Sequence, residues 1–159
     1  MRSTHVLMVC LGNICRSPTA HGVLQTKVVE RGLSERIRVD SAGTSGWHIG
    51  SSPDSRSSQV AKARGYDLSE QRGRQVNIND FDEFDYILAM DEDNLANLKL
   101  LRPSHFSGHL GLLLDFAQKH DYREVPDPYH GGSAGFDLVL DLVEDAVDGL
   151  LDHITRATP

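Results

Sequence analysis

A cysteine, an arginine and a serine stand close together near the start of the chain, at a spacing suited to phosphate chemistry. Cys10 is followed, after five intervening residues, by Arg16 and Ser17 within the string CLGNICRSP. Helix N-termini and neighbouring arginines lower the pKa of a cysteine thiol from about 8.5 to roughly 3.5–7.5, which makes it a strong nucleophile. A guanidinium grips two phosphate oxygens at once, and the serine hydroxyl can stabilise charge on the sulfur. The pattern predicts attack by Cys10 on a bound phosphate group.

The residues on either side of this cluster predict a strand, a turn and a helix. Residues 4–9 are mostly β-branched or large and apolar, which is typical of a strand covered on both faces. Pro18 suits the first turn of a helix, which we expect to continue over residues 19–30. Such a junction directs free backbone N–H groups to one point, where the helix dipole adds positive potential. We therefore predict an anion site formed by the turn Leu11, Gly12, Asn13, Ile14 and Cys15.

Strand and helix patterns alternate along the rest of the chain and predict parallel crossover units. Further strands are predicted at 37–42, 85–91 and 108–115. Helices are predicted at 53–64, 92–101 and 134–155, with a short helix or turn at 81–84. The last helix carries apolar residues at three- and four-residue steps, so we expect it to pack on the sheet.

The amino-acid composition limits the kinds of protein and partner that are expected. The 159 residues include 39% hydrophobic and 25% charged residues with a formal net charge of −7, as in one globular domain. Because no basic stripe is present, nucleic acid is not an expected partner. The early apolar run is too short for a signal peptide and no stretch approaches a membrane span, so no membrane partner is expected. Both cysteines belong to the CLGNICRSP string, which rules out a disulfide framework and favours a reducing cytoplasm.

The string CLGNICRSP resembles the phosphate-binding loop of the low-molecular-weight protein tyrosine phosphatase family, and the resemblance covers the whole chain. As the motif requires, the string follows a predicted strand and opens a predicted helix. The resemblance implies an α/β fold with a doubly wound, four-stranded parallel sheet and helices on both faces, forming a single domain over residues 1–159. It also implies a phosphotyrosine phosphatase that uses no cofactor and no metal, and the sequence shows no cluster of metal ligands.

A second signature of this family is Asp-Pro-Tyr, which stands here within the string EVPDPYH. Two prolines hold Asp127 in an extended, stiff loop. Cleavage of a phosphate ester needs a proton for the leaving oxygen, and Asp127 is the candidate donor. The same carboxylate can then accept a proton from the attacking water. Taken alone, Asp-Pro favours only a turn, so the assignment depends on the loop at Cys10.

Three further residues are expected to form the walls and support of the site. The resemblance places Trp47, in a glycine-flanked loop, in the wall of the substrate cleft; the alternative is a tryptophan at the edge of the core. Tyr129 is expected to stack on the substrate ring opposite it. The resemblance also implies that Ser41 hydrogen-bonds Asn13, whose residue type tolerates a left-handed backbone, the alternative for Ser41 being a local bond at a strand end.

For four residues, the sequence does not decide between alternative roles. Gln71 stands where relatives commonly have a histidine that helps to brace the loop asparagine, and we expect the brace to survive with altered geometry. His130 stands where relatives often have a second aromatic residue, and we expect it to shape the preference for protein substrates. Asp91 resembles a family acid, although capping of the next helix is favoured over catalysis. Cys15 is either a thiol that traps oxidised Cys10 as a disulfide or a small buried loop residue.

The favoured interpretation is hydrolysis of phosphotyrosine through a cysteinyl-phosphate intermediate. Its partners would be tyrosine-phosphorylated proteins, among which a tyrosine autokinase is a candidate. Arsenate reductases of this type need further cysteines outside the loop, which this chain lacks. Phosphoarginine phosphatases resemble the loop but have a threonine at the position of Ile14, whose apolar side chain suits a phenyl ring better. A non-catalytic phosphate-binding module remains the alternative from another class, and the presence of Asp127 argues against it.

Overall fold

The computed structural model describes residues 3–157, in which strands and helices alternate. The sheet has four strands in the order β2-β1-β3-β4, and every pairing between neighbours is parallel. This is the α/β class predicted from the sequence. The elements are β1 (Thr4–Cys10), α1 (Arg16–Glu30), β2 (Ile37–Gly43), α2 (Ser55–Ala63), α3 (Asp80–Glu83), β3 (Tyr86–Ala89), α4 (Glu92–Leu101), β4 (His109–Leu112), a 3₁₀ turn (Leu113–Phe116) and α5 (Ser133–Ala157).

The central strand β1 is apolar on both faces because helices cover both sides of the sheet. Val6 and Met8 belong to one buried cluster, which they share with side chains of α1 and α5. Leu7 and Val9 point to the other cluster, which is formed with side chains of α3 and α4. A strand buried in this way reads as a continuous apolar run rather than as an alternating one.

The order of the strands places a crevice at the carboxyl end of β1. β1 pairs with β2 on one side and with β3 on the other. The chain therefore leaves β1 in one direction and returns to its other edge later, which makes this a topological switch point. The loop that follows Cys10 emerges there, between the ends of β2 and β3.

Most element boundaries differ from the sequence-based predictions by one or two residues, and the larger differences fall in β4, β3 and α1. β4 ends at Leu112 instead of running to residue 115, because Leu113 and Leu114 turn into the 3₁₀ turn and join the cluster around α5. β3 covers only Tyr86–Ala89 of the predicted 85–91. α1 begins at Arg16, before the predicted start at residue 19, so that Arg16 itself lies in the first turn.

The hydropathy of the helices bears on whether one of them could cross a membrane. Over residues 3–157, no helix combines the length and apolar character needed to cross a membrane.

Candidate active site

The loop between β1 and α1 is held in shape by neighbouring backbone. The carbonyl oxygens of Cys10 and Leu11 accept hydrogen bonds from backbone N–H groups just after β2, and that of Ile14 accepts from Asp54, at 2.7–3.0 Å. These carbonyl groups are thus used in hydrogen bonds to the segments around the loop. Apart from those of Asn13 and Thr19, which bond to Cys10 Sγ and to the carbonyl oxygen of Cys15, the backbone N–H groups of the loop and of the start of α1 can serve an anion at its centre.

Two donors surround the sulfur of Cys10, which is buried at the end of β1. The Cys10 Sγ lies 3.0 Å from Ser17 Oγ and accepts the backbone N–H of Asn13 at 3.3 Å. The side-chain amide of Asn13 donates to Ser17 Oγ at 2.8 Å. The hydroxyl hydrogen of Ser17 can point at the sulfur or at the carbonyl oxygen of Ala42, which is farther away at 3.4 Å. The arrangement suits a sulfur that carries negative charge.

Asn13 sets the curvature of the loop. Its φ of 59° is the only positive value at a non-glycine residue among the described residues. Its Nδ2 also donates to Ser41 Oγ at 3.0 Å, the bond that the resemblance implied. Its Oδ1 accepts the backbone N–H of Arg74 at 3.0 Å. Bonds from three segments therefore offset the strain of this left-handed conformation.

The guanidinium of Arg16 is buried beneath the opening of the loop. Its Nη1 donates to Asp91 Oδ2 at 2.6 Å and to the carbonyl oxygen of Val125 at 3.1 Å, and its Nη2 lies 3.6 Å from Asp127 Oδ2. Burial by itself lowers the pKa of Arg16, but Cys10, Asp91 and Asp127 outweigh this and raise the pKa above its usual value. Arg16 is thus a fixed cation that faces the phosphate site.

Asp91 has two contacts, of which the sequence predicted one. Its Oδ1 accepts the backbone N–H of Asn94 at 2.8 Å and caps α4, as expected. Its Oδ2 holds Arg16 at 2.6 Å. The second contact exists because β3 lies beside β1 in the sheet, so the residues that follow the two strands meet at one edge. Nothing in the local sequence around Asp91 signals it.

An open cavity of about 160 Å³ lies over the loop. Trp47 is 75% exposed, so it is not a core tryptophan, while Tyr129 is 39% exposed. The cavity contains the predicted nucleophile, the predicted acid and both predicted aromatic residues, and it also contains His48, to which the sequence assigned no role. The lining residues are Cys10, Leu11, Gly12, Ile14, Cys15, Arg16, Trp47, His48, Asp127, Tyr129 and His130.

Asp127 enters the cavity from the loop before α5. Its Oδ1 accepts the backbone N–H of Tyr129 at 3.1 Å, and its side chain is 46% exposed. Arg56 of α2, which the sequence did not single out, holds this loop by donating to the carbonyl oxygen of Tyr129 at 2.9 Å. Its guanidinium also lies over the rings of Tyr129 and Phe136, at 5.5 and 4.7 Å from their centres.

Comparison with known proteins agrees with this geometry. The sequence model of the family "Low molecular weight phosphotyrosine protein phosphatase" matches residues 5–159. The chain belongs to this family. Its members are phosphoric monoester hydrolases, and the chain is an enzyme of that class. A putative low molecular weight protein-tyrosine-phosphatase of Synechocystis is 48% identical over 152 residues, which cover 95% of this chain and 96% of the relative.

Solved structures resemble this phosphatase over nearly its whole length. A protein tyrosine phosphatase from Entamoeba histolytica, crystallised with Hepes in its active site, has a TM-score of 0.94 and 41% identity, covering 99% of this chain and 100% of that one. An arginine phosphatase from Drosophila has a TM-score of 0.86 and 35% identity, covering 94% and 96% of the two chains. The fold class predicted from the sequence is confirmed.

Cys15 of this phosphatase is a buried thiol at the end of the loop, just before α1. Burial, reinforced by the negative charge of Asp54, raises the pKa of Cys15 to about 12. The side chain is therefore protonated at neutral pH, and its sulfur differs in chemistry from that expected of a phosphate-attacking cysteine.

Gln71 forms no direct hydrogen bond with Asn13 among the described residues. Its Nε2 donates to the carbonyl oxygen of Pro18 at 3.0 Å, and the backbone of Arg74 supplies the bond to the side-chain oxygen of Asn13. A backbone N–H is present at every residue except proline, so the sequence could not identify Arg74 as the source. Among residues 3–157, no group of three or more His, Cys, Asp or Glu side chains is placed to hold a metal ion.

Proposed function

We propose that this chain hydrolyses phosphotyrosine in proteins and that Cys10 attacks the phosphorus atom to form a cysteinyl-phosphate intermediate. The observation that supports this most strongly is that Cys10, Arg16 and Asp127 line one cavity at the end of the sheet. A nucleophile, a fixed cation and an acid are the groups that phosphoryl transfer to and from a cysteine requires.

In the first step, the S–P bond forms as the bond from phosphorus to the tyrosyl oxygen breaks. Arg16 and the loop N–H groups stabilise the three equatorial oxygens of the transferring phosphoryl group. Asp127 gives its proton to the departing tyrosyl oxygen. Its exposure in the cavity leaves it free to reach that oxygen.

In the second step, water attacks the phosphorus atom of the intermediate and the S–P bond breaks. The carboxylate of Asp127 now accepts a proton from the water, which is the reverse of its first role. Ser17, at 3.0 Å from the Cys10 sulfur, donates to the departing thiolate, and inorganic phosphate is released.

The walls of the cavity support an aromatic substrate. Ile14, Trp47 and Tyr129 offer apolar surface around the phosphate site, as a phenyl ring requires. The partners we propose are tyrosine-phosphorylated proteins, with a tyrosine autokinase as one candidate. An Asp127→Ala variant should hold its phosphoprotein without releasing it, so capture with this variant identifies the substrate; Cys10→Ser in the same background is the control.

Phosphoarginine is the second candidate substrate, favoured by the likeness to an arginine phosphatase from Drosophila. Ile14 argues against it, since an apolar side chain at this point of the cavity suits a ring better than a guanidinium. A side-by-side measurement of kcat/KM on a phosphotyrosine and a phosphoarginine peptide separates the two. A larger value on phosphoarginine would contradict the proposal.

The decisive test of the reaction uses p-nitrophenyl phosphate. The wild-type enzyme should hydrolyse it, and Cys10→Ser should show no turnover because the serine hydroxyl is a poor nucleophile at neutral pH. Circular dichroism checks that the variant is folded. Measurable hydrolysis by Cys10→Ser would contradict the cysteinyl intermediate, and an inactive wild-type protein would favour a phosphate-binding module.

We also propose that oxidation switches the enzyme off. Peroxide would convert the Cys10 thiolate to a sulfenic acid, and the thiol of Cys15 would displace water from it to give a disulfide. Because burial raises the pKa of Cys15 to about 12, this step requires loss of its proton and should be slow at neutral pH. Mass spectrometry after mild peroxide treatment, with Cys15→Ser as the control, should detect a Cys10–Cys15 linkage that dithiothreitol reverses; its absence would refute the switch.

A further inference from the structure

His21 lies behind the phosphate loop, on the side away from the cavity. It stands on α1, and its Nδ1 is 3.3 Å from Ser41 Oγ. The same Ser41 oxygen accepts the bond from Asn13 Nδ2 at 3.0 Å. A continuous path of hydrogen bonds therefore runs from the imidazole of His21 through Ser41 to the residue that sets the curvature of the loop.

Gln71 lines the same groove as this imidazole. Its amide nitrogen is committed to the carbonyl oxygen of Pro18 at 3.0 Å. Within residues 3–157, its Oε1 is one of three buried side-chain polar atoms that have no hydrogen-bond partner of standard geometry. The Gln71 side chain nevertheless raises the pKa of the ring, although burial outweighs this effect. An amide oxygen only accepts, so a ring nitrogen that carries a proton is the kind of group that would satisfy it.

A ring that is unprotonated at Nδ1 gives every hydrogen of the path a partner. Ser41 has a single hydroxyl hydrogen, and its oxygen already accepts from Asn13. With Nδ1 unprotonated, the hydroxyl hydrogen of Ser41 donates to His21 Nδ1, and both contacts of the serine are hydrogen bonds. A ring with a proton on Nδ1 would present a second donor to Ser41 and leave the serine hydrogen without its acceptor.

We propose that His21 is a positioning residue for catalysis: as a neutral imidazole with its proton on Nε2, it orients Ser41 and thereby holds Asn13 and the phosphate loop in their active shape. This rests on the proposed function, because the loop matters only if it binds the transferring phosphoryl group. His21 itself acts through Ser41 and Asn13 and does not touch the substrate.

The charged groups around His21 are compatible with a neutral ring. Burial lowers the pKa of His21 below its usual 6.5, and this outweighs Asp40 of β2, which raises it. Asp40 is itself paired with Arg74 at 3.1 Å. The remaining acids that share a groove with His21 come from the end of α1 and from the segment after α2; they are Glu30, Asp67 and Glu70.

The first test uses three variants and two readouts. His21→Phe keeps a ring but removes the acceptor, His21→Asn supplies an amide oxygen about where Nδ1 lies, and Val28→Ala perturbs the same helix at a fully buried site outside the path. The readouts are kcat on p-nitrophenyl phosphate and the inorganic phosphate concentration that protects Cys10 from iodoacetate. The second readout needs no turnover, so it still tests the loop if the proposed hydrolysis fails.

We expect His21→Phe to lower kcat and weaken phosphate protection by about 3- to 10-fold, the value of roughly one hydrogen bond. His21→Asn should restore most of both, whereas Val28→Ala should lower the melting temperature without changing either. Equal phosphate protection in wild type and His21→Phe overturns the proposal. So does an equal loss in all three variants, because it would show a merely structural role.

The second test needs no substitution in the path. In ¹⁵N NMR of the wild-type protein, the ring nitrogens of His21 should show an unprotonated Nδ1 and a protonated Nε2 near neutral pH. As pH falls below 6.5 and the ring gains its second proton, phosphate protection should weaken in the wild type but not in His21→Asn. A ring with its proton on Nδ1 at neutral pH, or identical pH profiles, overturns the proposal even if His21→Phe fails to fold.

Discussion

At the scale of single residues, the site joins groups whose charges are arranged before substrate arrives. Arg16 is buried and held by Asp91 and Val125, while the Cys10 sulfur already has a hydroxyl and an N–H beside it. Such preorganisation avoids reorganisation during the reaction, which is where electrostatic catalysis gains most. Asp127 is different, since its side chain is 46% exposed, as the proposed exchange of protons with substrate and water requires.

This difference predicts how an Asp127→Asn variant depends on the leaving group. The amide cannot donate the acid proton, so kcat/KM on phenyl phosphate, which reports formation of the intermediate, should fall by about 10²- to 10⁴-fold, the usual contribution of general acid catalysis. The loss on p-nitrophenyl phosphate should be smaller, because p-nitrophenolate departs without a proton. Steady-state kinetics on both substrates measure this.

The matched control is Asp121→Asn, which changes an exposed aspartate outside the cavity and should leave both rates unchanged. Equal losses on the two substrates in Asp127→Asn would count against the role of Asp127 as the acid in the first step.

At the scale of elements, the loop depends on how closely β2 approaches it. The last residue of β2, Gly43, pairs with Cys10 and bonds through its own backbone to Arg74 and Val76. A Cβ at Gly43 would lie 2.8 Å from the carbonyl oxygen of Leu11 and 3.1 Å from the carbonyl carbon of Gly12. These are backbone atoms of the phosphate loop, so the glycine is needed for the close approach of the two segments.

Gly43→Ala should therefore displace the loop more than it destabilises the fold. We expect kcat/KM on p-nitrophenyl phosphate to fall by about 10- to 100-fold, because catalytic geometry is sensitive to shifts of less than 1 Å. Kinetics and a thermal melt of the same preparation separate the two effects.

Gly132→Ala is the control for this substitution, since a Cβ there meets nothing within 4 Å. It should leave kcat/KM unchanged. If Gly43→Ala retained full activity, the loop would have to be more adaptable than its backbone contacts indicate.

At the scale of the whole molecule, α5 holds the segment that follows the last strand against one face of the sheet. Asp145 of α5 accepts backbone N–H bonds from Gln118, Lys119 and His120 at 2.9–3.2 Å. The ring of His120 lies 2.9 Å from the same carboxylate. Burial alone would raise the pKa of Asp145, but these bonds to the ionised form hold its pKa below the usual value.

A lowered carboxyl pKa gives stability that depends on pH in a defined direction. The unfolded chain binds this proton more readily, so the contribution of Asp145 is complete above its unfolded pKa of about 3.9 and is lost as pH falls through the lower folded pKa. Asp145→Asn should lower the free energy of unfolding at pH 7 by about 1–3 kcal/mol, and the difference from wild type should shrink below pH 4.

Urea unfolding at pH 7 and at pH 3 measures this difference. Asp148→Asn is the control, because Asp148 forms only partly exposed ion pairs with Lys27 and Arg31 and should change stability by less than about 1 kcal/mol. A difference for Asp145→Asn that stayed constant with pH would show that the ionised carboxylate is not what stabilises α5.

The sequence by itself determined the local chemistry of this protein. Cys10, Arg16 and Ser17 come together within one strand, one turn and the start of one helix, so their spacing predicts an anion-binding loop. The length and the apolar pattern of the main helices were predictable for the same reason, since each depends on neighbours within a few residues. The predicted β4 was too long because a run of leucines does not indicate which of the two apolar clusters each leucine joins.

Only the tertiary structure decided what supports that loop and what faces it. The contacts of Arg74 with Asn13, of Asp91 with Arg16 and of His21 with Ser41 join residues from different elements. They exist because β1 lies between β2 and β3, which brings the ends of three parallel strands to one edge. Strand order follows from how the whole chain buries its two apolar clusters, and no short stretch of sequence contains that information.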